Sequence, residues 1–197
     1  MSEKITAGDI LAAIRKKHSS DAVVREVVID DPIEMGYYAR ASINASGGRW
    51  AEQSRAWYER RGVVIPDEIP EGWTHRSSIT RRRIDAIILS STGVTAVEIK
   101  VSRADFKRET EEKRRAWRAI TNRFIYAAPV GLILPEEVPA GCGLWEFDAA
   151  ASGPYRSQHG LTVKVKARVN KEPDALPPQI LTALAYRVSN YERKAAA

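Results

Sequence analysis

Residues 83 to 101 read Arg83-Ile84-Asp85-Ala86-Ile87-Ile88-Leu89-Ser90-Ser91-Thr92-Gly93-Val94-Thr95-Ala96-Val97-Glu98-Ile99-Lys100-Val101, and this stretch decides the fold. Two runs rich in Ile, Val and Ala, 83–89 and 94–101, flank a Ser-Ser-Thr-Gly segment, the composition of a tight β-hairpin. A turn centred between Ser91 and Thr92 pairs Leu89 with Val94 and Ile87 with Ala96. Asp85 then falls directly opposite Glu98, and Lys100 shares their face because strand side chains alternate.

Two carboxylates that close repel one another unless a cation lies between them, and oxygen-only ligands suit Mg²⁺ or Mn²⁺ better than zinc. Asp85 and Glu98 are therefore the expected metal ligands, with the backbone carbonyl of Ile99 as a further one. Lys100 can orient a water and help stabilise its hydroxide form, while a divalent ion lowers the pKa of that water and neutralises charge building on a phosphate. Asp85, Glu98 and Lys100 thus form a candidate catalytic set for phosphodiester hydrolysis. A Glu-x-Lys triplet alone also suits an ordinary surface strand. An acid directly across the hairpin, within strands otherwise apolar, puts charge where burial normally selects hydrocarbon.

Asp85, twelve residues, then Glu98-Ile99-Lys100 resembles the core motif of the PD-(D/E)XK nuclease superfamily, with Ile84 where the usual proline stands. The longer string Glu98-Ile99-Lys100-Val101-Ser102-Arg103-Ala104-Asp105-Phe106 resembles a segment of MmcB-like DNA repair proteins and their phage relatives. So does the later run from Phe124 through Pro129 to Leu144, and together the similarities cover about residues 80 to 148. The resemblance implies a restriction-endonuclease-like α/β fold, a mixed β-sheet flanked by helices. It also implies a Mg²⁺-dependent endonuclease acting on DNA in repair, recombination or phage DNA processing, with Mn²⁺ as a substitute. Many such nucleases carry a further acid at the metal, and Glu26, central in a strand expected to neighbour Asp85, is the candidate; an exposed edge position is the competing interpretation.

The chain has 197 residues and a formal net charge of +6, consistent with one compact domain. Between residues 76 and 118 twelve Lys and Arg face six Asp and Glu, so that the whole excess lies around the proposed site. A polyanion such as DNA is the natural partner, although a solvated helix face would account for part of the charge. Arg81, Arg82 and Arg83, entering the first hairpin strand, and Arg103 and Lys113 are the phosphate-binding candidates. The single cysteine, Cys142, cannot form an internal disulfide, and His18, His75 and His159 lack zinc spacing. No apolar run approaches the ~20 residues of a membrane span and no signal-peptide core follows Met1, so a cytoplasmic location without membrane association is expected.

Elsewhere, Thr6 to Asp9 resembles a capping box that opens a first helix with Ile10, Leu11 and Ile14 on its apolar face. Residues 22–29 read as the first strand. Residues 31–80 resemble an insertion around one helix, 49–60, where Trp50 and Trp57 share a face with Arg49, Arg55, Arg60 and Arg61 nearby. Core packing is the expected role of these tryptophans, with base stacking as the alternative. Ser102 starts a helix expected to run to about Thr121, placing Phe106, Thr110, Lys113, Trp117 and Ile120 on one face. Strands follow at 124–128, 143–147 and 161–167, then a final helix bearing Ile180, Leu181, Leu184 and Val188. The C-terminal strand and helix span 161–193, and 194–197 should fray.

Substrate form and base preference are not legible, and RNA cleavage uses the same phosphate chemistry. One site makes a nick, so a double-strand break would call for a homodimer or two encounters. Repair or replication proteins are further expected partners. The rival from another class is an accessory protein that keeps the fold and the basic face without cutting.

Overall fold

The computed structural model describes residues 4–75, 78–178, 180–182 and 184–186. In chain order these form α1 (Ala7–Lys17), β1 (Ala22–Asp30), α2 (Pro32–Ala45), α3 (Arg49–Glu59), β2 (Arg81–Ser90), β3 (Gly93–Ile99), α4 (Arg103–Lys107), α5 (Glu111–Ile120), β4 (Arg123–Pro129), β5 (Gly143–Ser152) and β6 (His159–Val165). The fold is α/β, a six-stranded sheet in the order β1-β2-β3-β4-β5-β6. The sheet is mixed: β2 and β3 are antiparallel, β3, β4 and β5 run parallel, and β6 is antiparallel to β5. Contacts cluster into two compact units, residues 1–27 with 84–173, and residues 28–83 with 174–197.

In the first unit the hairpin has the register read from its turn, with Leu89 opposite Val94 and Ile87 opposite Ala96. The Ser90–Gly93 pair closes it. Gly93 takes φ 125°, and a Cβ there would collide with the Asn122 side chain, so the turn needs glycine twice over. Asn122 Oδ1 accepts from Val94 N at 2.8 Å, which starts β4 alongside β3.

Alternation sorts these strands into two faces. Ala86, Ile88, Val97, Ile99, Ile125, Ala127, Trp145 and Phe147 form a core beneath Ile10, Ala13 and Ile14 of α1. Helix α1 begins at the Thr6–Asp9 capping box, as its sequence indicates. Asp85, Ile87, Ala96, Glu98, Phe124 and Tyr126 have the opposite parity. Parallel β3 and β4 require a crossover, and residues 100–122 supply it with α4 and α5. Ala116, Trp117 and Ile120 are the residues α5 buries.

The single helix expected over 102–121 is two helices. Ser102 caps α4, but the chain breaks at 108–110 and Thr110 caps α5 by accepting from Lys113 N. Thr110, expected on the apolar stripe, has instead the extended backbone and the cap bond that a restarted helix requires.

In the second unit Asp31 caps α2, accepting from Ile33 N at 3.0 Å and Glu34 N at 3.2 Å, with Pro32 at the first helical position. Glu34 accepts from the backbone N and hydroxyl of Thr80. Helix α2 packs against α3, so 31–80 holds two helices where one was expected. Core packing of Trp50 and Trp57 is not what the structure shows: they are 65% and 44% exposed, α3 buries no residue, and Arg61 lies 3.5 Å above the Trp57 ring. Described residues from 178 onward are helical, with Ile180 buried and Leu181 exposed. Val188 and residues 194–197 lie outside the described residues. No helix among the described residues is long and apolar enough to cross a membrane.

Candidate metal centre

The ladder between β2 and β3 runs to Ala86 opposite Val97, and Asp85 and Glu98 are the next step in that register. There the Asp85 side chain replaces a ladder bond, its Oδ2 accepting from Ile99 N at 2.8 Å. That bond ties a half-buried carboxylate beside Glu98, which is itself buried. Glu98 stands opposite Tyr126 of β4, and Lys100 N donates to Ala127 O at 2.9 Å, so the lysine leaves the sheet from a fixed backbone.

Lys100 Nζ donates to Glu98 Oε1 at 3.0 Å and to Glu109 Oε2 at 2.6 Å, and lies 3.7 Å from Asp105. Lys113 Nζ donates to the same Glu98 oxygen at 2.5 Å and lies 3.7 Å from Glu109. Burial raises the Glu98 carboxyl above its ordinary value and the nearby Asp85 charge adds to the rise, while Lys113 and Lys100 oppose both. Burial pulls Lys100 down, but its bonds to Glu109 and Glu98 outweigh that and leave it above its ordinary value. Lys100 is therefore an ammonium donor here, suited to holding a water or an anionic oxygen in place.

Glu98 Oε2 and Glu109 Oε1 are buried and have no hydrogen-bond partner among the described residues. Buried carboxylate oxygens are normally satisfied. Mg²⁺ commonly binds through one or two carboxylates while keeping several waters, so Asp85 with the open oxygen of Glu98 fits such an ion. Among the described residues no group of three or more His, Cys, Asp or Glu forms a ready metal cluster. Glu26, which is exposed on β1 with φ 49°, thus does not stand with Asp85 and Glu98 as a third acid. Ile99, the last residue of β3, lies between Glu98 and Lys100 and is buried.

The phosphate-binding candidates separate. Arg82 Nε donates to the buried Asp31 at 2.8 Å, which makes it a structural partner of the α2 cap. Arg81 and Arg83 are exposed. Arg103 donates to Leu132 O at 2.9 Å and grips Glu137 through both terminal nitrogens. Lys113 belongs to the acid cluster. Glu109 is the residue that sequence reasoning missed. The signal was available: a lysine on the inner face of a strand needs acids around it, and Ser102 turns the following chain back over Lys100.

No family model matches the chain, and no curated protein matches it. A solved structure described as the SPO1766 protein of unknown function from Silicibacter pomeroyi is similar, with 22% identity and a TM-score of 0.40 over 66% of this chain and 81% of that one. A likeness at that level carries no argument about fold or activity.

Proposed function

We propose that this protein is a Mg²⁺-dependent deoxyribonuclease of the PD-(D/E)XK kind, with Mn²⁺ as a substitute metal and DNA repair, recombination or phage DNA processing as its setting. The observation that carries the reading is the placement of Asp85 and Glu98 at adjoining positions across the hairpin, with Glu98 Oε2 buried and unbonded and Lys100 on the same carboxylate. Asp85 and Glu98 would hold the ion, with Ile99 offering its carbonyl. A bound divalent ion supplies charge neutralisation at the scissile phosphate and activation of the attacking water. Lys100, held protonated by Glu109, donates a hydrogen bond to that water and stabilises negative charge as it develops. Asp85 is kept in register by the backbone N–H of Ile99.

A second reading, a nucleic-acid-binding accessory protein that does not cut, is favoured by Lys113, whose ammonium already neutralises Glu98 at 2.5 Å. Metal-linked stability separates the two. At an ion concentration about a hundredfold above Kd, binding contributes about 2.7 kcal/mol, or roughly 5–10 °C in melting temperature for a chain this size. A rise of that order in Mg²⁺ or Mn²⁺, absent in Asp85→Ala, supports the nuclease. No rise with either ion replaces it with the accessory protein.

A further inference from the structure

Along the outer side of α5 a cleft of about 770 Å³ opens between this helix, the start of β4 and the segment 168–172 that follows β6. Arg115, Arg118, Arg123, Arg168 and Lys171 line it, against Glu111 and Glu172. Glu111 is already engaged by Arg114, 2.6 Å away. None of the five cations makes a salt bridge or a side-chain hydrogen bond to a described residue. The cations of the metal centre differ, since Lys100, Lys113 and Arg103 each face an acid.

The frame that presents these charges is tied together. Asn170 N donates to Asn122 O at 2.8 Å, Asn122 Nδ2 to Asn170 O at 3.0 Å, Asn170 Nδ2 to Arg118 O at 3.2 Å, and Arg168 N to Gly141 O at 3.1 Å. Gly141 has φ 81°, and a Cβ there would stand 2.8 Å from Arg118 Nη2, so glycine leaves the room this guanidinium occupies. Five like charges held in one concavity repel one another, and of the two acids that line it Glu111 is taken by Arg114. Their spread along a cleft suits a row of phosphates better than a single anion.

Arg123 opens β4, the strand whose Tyr126 is the register partner of Glu98, so the cleft and the metal centre are built on the same strand and the same crossover. We propose that this cleft holds the phosphate backbone of a nucleic acid. The binding surface does not rest on the nuclease reading.

The test is fluorescence anisotropy with a short labelled duplex and the matching single strand, in chelator, at about 50–200 mM salt. Arg118→Ala with Arg123→Ala, and separately the exposed pair Arg168→Ala with Lys171→Ala, should each weaken binding severalfold. Each should also lower the slope of log affinity against log salt by about 2. The exposed pair keeps the test open if the first pair fails to fold by circular dichroism. Native affinity and slope in the folded variants would overturn the proposal. Failure of the native chain to bind either oligonucleotide would do so too, and would point the cleft to an acidic protein. A chain that binds through the cleft but never cuts contradicts the nuclease alone; one that cuts while the cleft variants bind normally contradicts the cleft alone.

Discussion

Glu109 Oε2 lies 2.6 Å from Nζ of Lys100, and the two side chains are 3% and 4% exposed. Glu109 belongs to neither helix of the crossover; it sits in the break between α4 and α5, just before the Thr110 cap. The break therefore delivers a buried acid to the Lys100 ammonium, which also donates to Glu98.

Removing one partner from a buried ion pair costs about 3–5 kcal/mol, because the other charge is left desolvated. Lys100 would retain Glu98 at 3.0 Å, so Glu109→Gln should fall near the low end, about 3 kcal/mol in urea denaturation. A variant within 0.5 kcal/mol (about the neutral range) of the native chain would show that Glu109 does not support Lys100.

The Arg103 guanidinium, joined by the Leu134 backbone N–H, holds the Glu137 carboxyl well down from its ordinary 4.5, to about 2. A carboxylate whose folded pKa is depressed stabilises the fold above its unfolded value and loses that contribution as pH falls through the folded one. The native chain should therefore lose more stability than Glu137→Gln between about pH 4.5 and pH 2. Parallel acid-unfolding curves would remove this pair from the pH response.

Trp117 is fully buried on α5, and its indole nitrogen has no hydrogen-bond partner among the described residues. Trp117→Ala should cost about 3–5 kcal/mol in thermal or urea unfolding. Trp117→Phe should cost much less, since it removes an unsatisfied donor along with part of the ring. Equal losses in the two variants would mean that the nitrogen is satisfied after all.

Arg82 faces Asp31, which is 2% exposed and also caps α2. Arg82→Ala should lower stability by about 3 kcal/mol or more while leaving the salt dependence of DNA binding unchanged. A change in salt slope without loss of stability would return Arg82 to phosphate contact.

The hairpin was legible because a two-residue turn leaves a single register, and the register alone brings Asp85 to Glu98. The crossover was read less well. Thr110 serves equally as a stripe position and as an N-cap, and the spacing of Lys113, Trp117 and Ile120 is the same in one helix or two. Helix α2 is less legible because Asp31-Pro32 suits the end of a strand as well as a cap followed by a favoured first helical residue. Charge was locatable in sequence but its pairing was not. Arg82, Arg103 and Lys113 look like free cations in a string of letters, and only the folded chain shows the acids that take them.

Conversion of supercoiled plasmid to nicked or linear DNA in Mg²⁺ or Mn²⁺ tests the metal centre most directly. The native chain should convert it, chelator should stop the reaction, and Asp85→Ala and Lys100→Ala should both lose it while still binding DNA. Native protein that binds DNA but leaves plasmid, single strands and branched junctions intact with either metal would contradict the nuclease.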